Sequence, residues 1–183
     1  MAESLRGKLL IAGPTLLDPN FARTVVLIAE HTEEGAMGLV LNRPAETLID
    51  EAVPDLGWMA TDDERVWVGG PVAETAVIVL AEWDRPELAG ALVDDDLGFV
   101  GAEADEPAQL DGAIRRARVC AGHAGWGPGQ LESELEEESW IVEPPLREDI
   151  FTDDADRLWS AVLRRKGSQF ALLATMPPDP SLN

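Results

Sequence analysis

The stretch TVVLIAEHTEEGAMGLVLNRP, residues 24–44, holds two apolar segments separated by a short polar turn. The first segment, 24–31, is rich in β-branched residues and predicts a central strand. TEEG at 32–35 predicts a hairpin turn, and 36–44 returns as a second strand that stops at Pro44. Strands joined by so short a turn pair antiparallel. The stretch therefore predicts a β-hairpin, around which the rest of the fold is built.

Further strands and helices surround this hairpin. Strands are predicted at 8–13, 65–72, 75–83, 116–124 and 139–145, with a weaker one near 97–100. Helices are predicted at 46–53, 106–114, 129–137 and 154–167, the last closed by Gly167, and 168–177 is a short helix or strand. Because strands come first and later mix with helices without regular alternation, the order predicts an α+β fold with a mostly antiparallel or mixed sheet.

Length and composition bound the class of protein. The chain has 183 residues, of which 45% are apolar, and this suits one domain over residues 1–183 with a substantial core. Within it, 84–106 is predicted to be a surface excursion and 177–183 a C-terminal tail. No apolar run reaches the roughly 20 residues of a membrane helix, and the start MAESLRGKLLIAGP indicates a first strand rather than a signal peptide. The single cysteine favours a reducing, cytoplasmic location.

Charge is the strongest compositional feature. The chain has 35 acidic residues against 14 Lys and Arg, a formal net charge of −21. This field disfavours nucleic acid and anionic lipid as partners, because binding either relies on Lys and Arg. A small anionic ligand or a protein is the expected partner, and the oligomeric state is left open. Two small basic clusters are interpreted as a solvated face or a helix C-terminus: Arg115, Arg116 and Arg118, and Arg164, Arg165 and Lys166.

Three ordered motifs resemble the YqgE/AlgH family. They are KLLIAGPTLLDPNFARTVVLIAEHTEEGAMGLVLNRP at 8–44, VWVGGPV at 66–72 and GHAGWGPGQLESELEEESW at 122–140. The resemblance extends over nearly the whole chain, including LWSAVLRRKG at 158–167. It implies a single α+β domain with a bent or bifurcated sheet. The family consists of largely uncharacterised bacterial proteins, sometimes labelled as transcriptional regulators, so the resemblance implies no established activity.

The turn GWGPGQ at 125–130 is the first candidate site. Pro128 suits the first turn of a helix, which places Gly127 near the N-cap. The backbone N–H groups of Gly129 and Gln130 would then point outward at the positive end of the helix dipole, an arrangement that suits an anion.

Two interpretations of this turn are open. In the functional one, a small anion sits at the turn beside Gly125, Trp126 forms a wall, and Gln130 donates a side-chain hydrogen bond. In the alternative, which we favour, Glu132 already balances the dipole and Trp126 belongs to the core.

The segment VGGPV at 68–72 is the second candidate. Gly69 and Gly70 permit positive φ or a close backbone approach, and Pro71 follows them. Neither glycine-rich phosphate-binding spacing occurs here. The favoured interpretation is a turn between two antiparallel strands.

Among the polar residues considered, Asn42 and Arg43 in LNRP at 41–44 are the preferred candidates for a functional role. An arginine at a strand end can bind carboxylate or phosphate with two parallel hydrogen bonds. The alternative is a structural ion pair of Arg43 with a nearby acid, for which the candidates are Asp18, Glu46 and Glu74.

Individual histidine and cysteine residues are weaker candidates for a functional site. His31 can titrate near neutral pH, but it is more simply a hairpin cap paired with Glu33 or Glu34. No metal-binding spacing links it to His123, so neither a metal nor a cofactor is predicted. Cys120 is interpreted as a packed, unreactive residue.

Three functions follow in order of preference. The first is a non-catalytic binding or regulatory module whose pocket forms where LNRP, GGPV and GWGPGQ converge. The second is an enzyme of unrecognised type that uses His31 or Arg43 with Asn42, although we assign no catalytic residue. The third, a direct DNA-binding regulator, is disfavoured by charge. The candidate ligand residues are Asn42, Arg43, Gly69, Gly70, Pro71, Gly125, Trp126, Gly127, Gly129 and Gln130, with His31 ranked below them.

Overall fold

The computed structural model describes residues 3–60, 64–102 and 107–177. Its strands are β1 (Leu9–Ala12), β2 (Val25–Thr32), β3 (Gly35–Val40), β4 (Pro44–Leu48), β5 (Arg65–Val68), β6 (Val72–Trp83), β7 (Ala91–Leu92), β8 (Leu97–Phe99), β9 (Ile114–Trp126) and β10 (Trp140–Glu143). Its helices are α1 (Ile49–Ala52), α2 (Pro107–Leu110), α3 (Gln130–Glu136), α4 (Arg147–Ile150), α5 (Ala155–Lys166) and α6 (Gln169–Leu173). Short 3₁₀ turns lie at Pro54–Met59 and Pro86–Leu88.

The sheet divides at β9. The strand order is β10-β1-β2-β3-β9-β6-β8-β7. One edge of β9 pairs with β6, and the other pairs with β3 at residues 124–126 and with β5 at Cys120 and Ala121. β5 in turn pairs with β4. The α+β fold and the mostly antiparallel sheet are confirmed, and the expected bifurcation is the point where β3 and β5 share one edge of β9.

The predicted hairpin lies in the interior of the sheet, and both of its faces are covered by apolar clusters. Along β1 and β2, alternate residues enter different clusters. Leu9 and Leu27 pack in the cluster that contains Trp159 of α5, whereas Leu10 and Val26 pack in a second cluster with Trp126 and Trp140. β1 and the first five residues of β2 are therefore continuously apolar rather than alternating.

Several predicted elements are confirmed with small shifts at their ends. The hairpin is formed by β2 and β3, and the weaker strand near 97–100 is β8. α5 ends at Lys166, and Gly167 follows with φ of 80°, a conformation that favours glycine. Residues 103–106 of the predicted excursion and 178–183 of the predicted tail lie outside the described residues.

Three local predictions are wrong in whole or in part. Of the helix predicted at 46–53, residues 49–52 form α1, but residues 46–48 belong to β4, because pairing with β5 outweighs weak local helix propensity in so short a segment. The helix predicted at 106–114 is described only at Pro107–Leu110, and Ile114 already begins β9. GGPV does not join two strands that pair with each other, because β5 and β6 pair with opposite edges of β9 and β5 runs parallel to it.

Candidate functional site

The segments LNRP and GGPV meet through their backbones. The Val68 N–H donates to the Arg43 carbonyl at 2.7 Å, and the Gly69 carbonyl accepts the Val40 N–H at 2.8 Å. Gly70 packs so closely on β9 that a Cβ there would lie 2.2 Å from the carbonyl carbon of His123. Residues 69–72 and residues 122–125 of β9 thus form one close backbone contact, which we name the glycine junction.

GWGPGQ continues directly from the glycine junction. Val72 is the register partner of His123, and a Cβ on Gly125 would lie 3.6 Å from the Val72 side chain. GGPV therefore lies between LNRP and GWGPGQ and contacts both.

The polar side chains of LNRP bind the chain itself. Asn42 accepts the Val25 N–H at 3.0 Å through Oδ1 and donates to the Arg23 carbonyl at 2.9 Å through Nδ2. Arg43 donates to the carbonyls of Pro19 and Ala22. Arg43 therefore bonds to backbone oxygens rather than to the carboxylates expected from the sequence, and the pair fastens the 19–25 segment to the end of β3.

The tryptophan of GWGPGQ is packed and hydrogen-bonded. Trp126 is 6% exposed and contacts the rings of Phe21 and Trp140. One oxygen of Glu134 accepts both indole N–H groups, from Trp126 at 2.9 Å and from Trp140 at 2.8 Å. The other oxygen of Glu134 accepts a hydrogen bond from the Gln130 side chain at 3.0 Å. These contacts make the Trp-bearing turn part of the core.

The start of α3 differs from the prediction. Its N-cap is Gly129, with φ of 74°, rather than Gly127, so the helix begins two residues later than the proline pattern indicates. The Gln130 N–H is not free, because it donates to the Gly127 carbonyl at 3.1 Å. The Gly127 N–H in turn donates to the Gln130 side chain at 3.0 Å.

His31 is held at both ring nitrogens. Its Nδ1 accepts the Leu5 N–H at 3.0 Å, so Nε2 carries the proton and donates to Glu132 at 2.7 Å. The expected partners, Glu33 and Glu34, are wrong: the partner lies 101 positions away along the chain. The Glu132 pKa is lowered, first by a backbone hydrogen bond and then by the bond from His31.

A large cavity lies elsewhere, between the β4–β5 pair and the first half of β9. Its volume is about 770 Å³, within the range of small-molecule sites. Four arginines line it, and we name it the arginine cleft: Arg65, Arg115, Arg116 and Arg118. Three aromatic side chains and three carboxylates complete its polar and aromatic lining: Trp58, Trp67, Phe151, Glu64, Asp111 and Asp153.

Arg118 is the most deeply placed of these arginines. It is 5% exposed, and its guanidinium lies 3.7 Å from the centroid of the Trp67 ring. Nη1 donates to the Leu41 carbonyl at 3.0 Å, and Nη2 donates to the Thr152 carbonyl. Within the described parts of the chain, no carboxylate comes within 4.0 Å of this guanidinium.

Burial is the dominant influence on Arg118. It lowers the pKa of the guanidinium to about 10, while Asp153 and Glu64 partly oppose the effect. The group therefore stays protonated at neutral pH, as a buried cation without a close counter-ion among the described residues. The expectation that this arginine belongs to a solvated face is wrong.

The other cleft arginines have partners of their own. Arg116 donates to Glu82 at 2.7 Å and lies 4.9 Å from the Phe151 ring centroid. Arg115 donates to Glu82 and Asp84. Arg65 donates to the Glu46 carbonyl. These contacts orient the rim and leave Arg118 as the inner cation.

None of the ten predicted ligand residues is among the lining residues of the arginine cleft. A ligand role for them stays a prediction, and their internal hydrogen bonds favour an architectural role. One feature of the sequence could have indicated that Arg118 is buried. The alternation of β9 places Arg118 on the same face as Cys120, so the expected burial of Cys120 also applies to its neighbour two residues away.

The comparisons agree with the fold. The sequence profile of the AlgH-like family, DUF179, matches residues 9–171. The chain belongs to the AlgH-like family.

Known proteins similar to this AlgH-like chain match nearly all of its length. A UPF0301 protein of Streptomyces coelicolor is 42% identical, covering 99% of this chain and 96% of the relative. The crystal structure of protein DIP2367 from Corynebacterium diphtheriae superposes with a TM-score of 0.86 at 28% identity, covering 96% of this chain and 94% of the other. The solution structure of the AlgH protein from Pseudomonas aeruginosa superposes with a TM-score of 0.71 at 31% identity, covering 97% of this chain and 98% of the other. The resemblance inferred from the three motifs is confirmed.

Along the described residues of this AlgH-like chain, no helix combines the length and apolar character needed to cross a membrane. No group of three or more His, Cys, Asp and Glu side chains in those same residues is arranged to hold a metal ion.

Proposed function

We propose that this AlgH-like protein is a cytoplasmic, non-catalytic binding module that takes up a small organic anion in the arginine cleft and serves a regulatory role. The observation that carries the proposal is Arg118, a buried guanidinium at the wall of a cavity of about 770 Å³. The anionic class agrees with the interpretation of the sequence, and the position differs from the one that the glycine-rich motifs indicate.

The energetic argument concerns the cost of burying a cation. Removing a charged group from water costs several kcal/mol unless a counter-charge and hydrogen bonds compensate. Arg118 receives two carbonyl oxygens and the face of Trp67, which compensate in part. An anion in the cleft completes the compensation, so ligand and protein stabilise one another.

The chemistry of the lining favours recognition. Guanidinium groups form directed hydrogen bonds to oxyanions, and aromatic faces hold the body of an organic molecule. In a chain with a net charge of −21, the four arginines concentrated here make the cleft the natural place for an anion. Arg118, the innermost of the four, is buried and lies out of reach of a nucleic-acid backbone, which supports a small ligand over DNA.

An amide and indole NMR titration tests the proposal. Benzoate, citrate, phenyl phosphate and AMP are added separately, and the indole N–H signals of Trp58 and Trp67 and the Arg118 Nε–H are followed. We expect at least one of the four anions to give saturable shifts with a Kd below about 1 mM. We expect Arg118→Lys to weaken that binding at least about tenfold, because lysine lacks the planar guanidinium.

The matched control is Arg164→Gln, at an exposed position of α5 outside the cleft. Unlike Arg118→Lys, it removes a positive charge altogether, and it should still leave the Kd unchanged because it lies outside the cleft. The proposal fails if none of the four anions shifts the Trp58, Trp67 and Arg118 signals of the unmodified protein. That readout does not depend on whether the Arg118 variant folds.

A further inference from the structure

The charges near Arg118 restrict the anion that the cleft can accept. Asp153 and Glu64 line the same cavity and act electrostatically on Arg118. Arg115 and Arg116 are already paired with Glu82. The lining also holds the guanidinium groups of Arg65 and Arg118 and the three carboxylates named above, so a phosphate monoester, which approaches a charge of −2 at pH 7, meets more carboxylates than these two guanidinium groups. A monoanion meets the same carboxylates with half the repulsion.

The hydrogen-bond donors of Arg118 point to the same class. A guanidinium has five N–H donors in one plane, and the Leu41 and Thr152 carbonyls take two of them. The remaining donors suit two oxygens of a planar carboxylate. Tetrahedral phosphate is commonly cradled by successive backbone N–H groups of glycine-rich loops. Here GGPV lies at the glycine junction and GWGPGQ continues from it, and neither segment lines the cleft.

Trp58 provides a surface for the body of the ligand. It lies in the 3₁₀ turn Pro54–Met59, lines the cleft, and is 40% exposed despite its size. The ring of Trp67 is occupied by Arg118, whereas the described residues include no ring or cation stacked on Trp58. Ile49 and Met59 also line the cleft. A flat apolar group finds an open aromatic face here.

We infer that the ligand of the arginine cleft is a monocarboxylate with a flat aromatic or apolar body, its carboxylate bound by Arg118 and its body packed on Trp58. This inference rests on the proposed function and specifies its ligand class.

Four probes that differ in one group at a time test it by calorimetry. They are 3-phenylpropionate, its neutral amide, 2-phenylethyl phosphate, and propionate. We expect 3-phenylpropionate to bind most tightly, with the amide and the phosphate ester at least about tenfold weaker. Propionate, which lacks the ring, should also be about tenfold weaker.

Two variants locate the contacts. Trp58→Ala, at a half-exposed side chain, should weaken 3-phenylpropionate about fivefold and leave propionate unchanged. Arg164→Gln should leave both unchanged. If Trp58→Ala affects both ligands equally or neither, the packing on Trp58 is excluded.

The other outcomes separate the two proposals. If 2-phenylethyl phosphate binds as tightly as 3-phenylpropionate and shifts the Trp58 and Trp67 indoles, the carboxylate inference is overturned and anion binding in the cleft stands. If the neutral amide binds as tightly as the carboxylate, anion recognition itself is overturned. If 3-phenylpropionate does not bind, the carboxylate inference is overturned, and the citrate and AMP titrations decide the proposed function separately.

Discussion

The glycine junction and the arginine cleft lie along the same strand, β9, and use their polar groups in opposite ways. Around the junction, the side chains of Asn42, Arg43 and Gln130 bond to the protein itself. In the cleft, Arg118 gives two of its donors to backbone carbonyls and faces a cavity of about 770 Å³. The conspicuous glycine and proline motifs thus set how closely backbones approach, whereas no motif marks the buried cation that faces the cavity.

The largest expected effect is that of Gly70→Ala, which tests whether the junction is architecture. Gly70 has φ of 153°, and a Cβ there would lie 2.2 Å from the His123 carbonyl carbon. Since backbone must move to admit it, we expect a loss of at least about 3 kcal/mol in the free energy of unfolding, or failure to fold. Urea denaturation followed by circular dichroism measures the loss.

The control is Gly129→Ala, another of the predicted ligand residues. Gly129 has φ of 74°, and nothing lies within 4 Å of its added Cβ, so only the left-handed backbone is strained. We expect a loss of about 1 kcal/mol. Equal losses for the two variants would mean that the junction tolerates a side chain, and would return GGPV to consideration as a ligand surface.

A smaller effect is expected for Asn42→Ala, which separates a structural from a ligand role for LNRP. The substitution leaves the Val25 N–H and the Arg23 carbonyl without their side-chain partner. We expect a loss of about 2 kcal/mol in the free energy of unfolding, with 3-phenylpropionate binding unchanged. Denaturation and calorimetry on the same preparation give both values.

The same substitution at the exposed Asn20 serves as its control and should cost no more than about 0.5 kcal/mol. If Asn42→Ala keeps its stability and loses anion binding instead, the ligand role predicted for LNRP from the sequence is correct, and Asn42 is not a purely structural residue.

Local patterns were enough to predict the parts of the fold that depend on neighbouring residues. The β2–β3 hairpin and the end of α5 at Gly167 follow from short-range turn and cap preferences. Residues 46–48 were predicted to be helical but belong to β4, whose strand state depends on pairing with β5, where Trp67 pairs with Pro44 across more than twenty positions. The branch at β9 likewise joins segments that are distant in sequence, so no local pattern encodes it.

The candidate site was harder to predict because a buried charge contradicts the usual distribution of residues. Arg118 is stabilised by the Leu41 carbonyl, 77 positions away, and by the ring of Trp67. His31 similarly binds Glu132 rather than its neighbours Glu33 and Glu34. Alternation along β9 gave the correct face for Arg118, but only the tertiary contacts show how the cation is accommodated.

The smallest effect is a pH dependence at Cys120, which lies on β9 between the two regions and is fully buried. Burial raises the pKa of its thiol from 9.0 to about 12. A raised folded-state pKa means that the unfolded chain releases this proton first, so the stabilisation is complete below pH 9 and is lost as pH rises towards 12. By pH 10, the protein should lose about 1.4 kcal/mol more than a Cys120→Val variant.

Denaturation of both proteins at pH 7, 9 and 10 measures this difference. The pKa of Arg118, lowered to about 10 by burial, has the opposite sign, because its folded form loses a proton first and stability then rises with pH. Both proteins retain Arg118, but the Cys120→Val variant lacks the electrostatic interaction between the two groups, which is therefore part of the measured difference. Parallel stability curves would mean that Cys120 ionises as readily in the folded protein as in the unfolded one. Water would then reach Cys120, between the arginine cleft and the glycine junction, in spite of its burial in the structure.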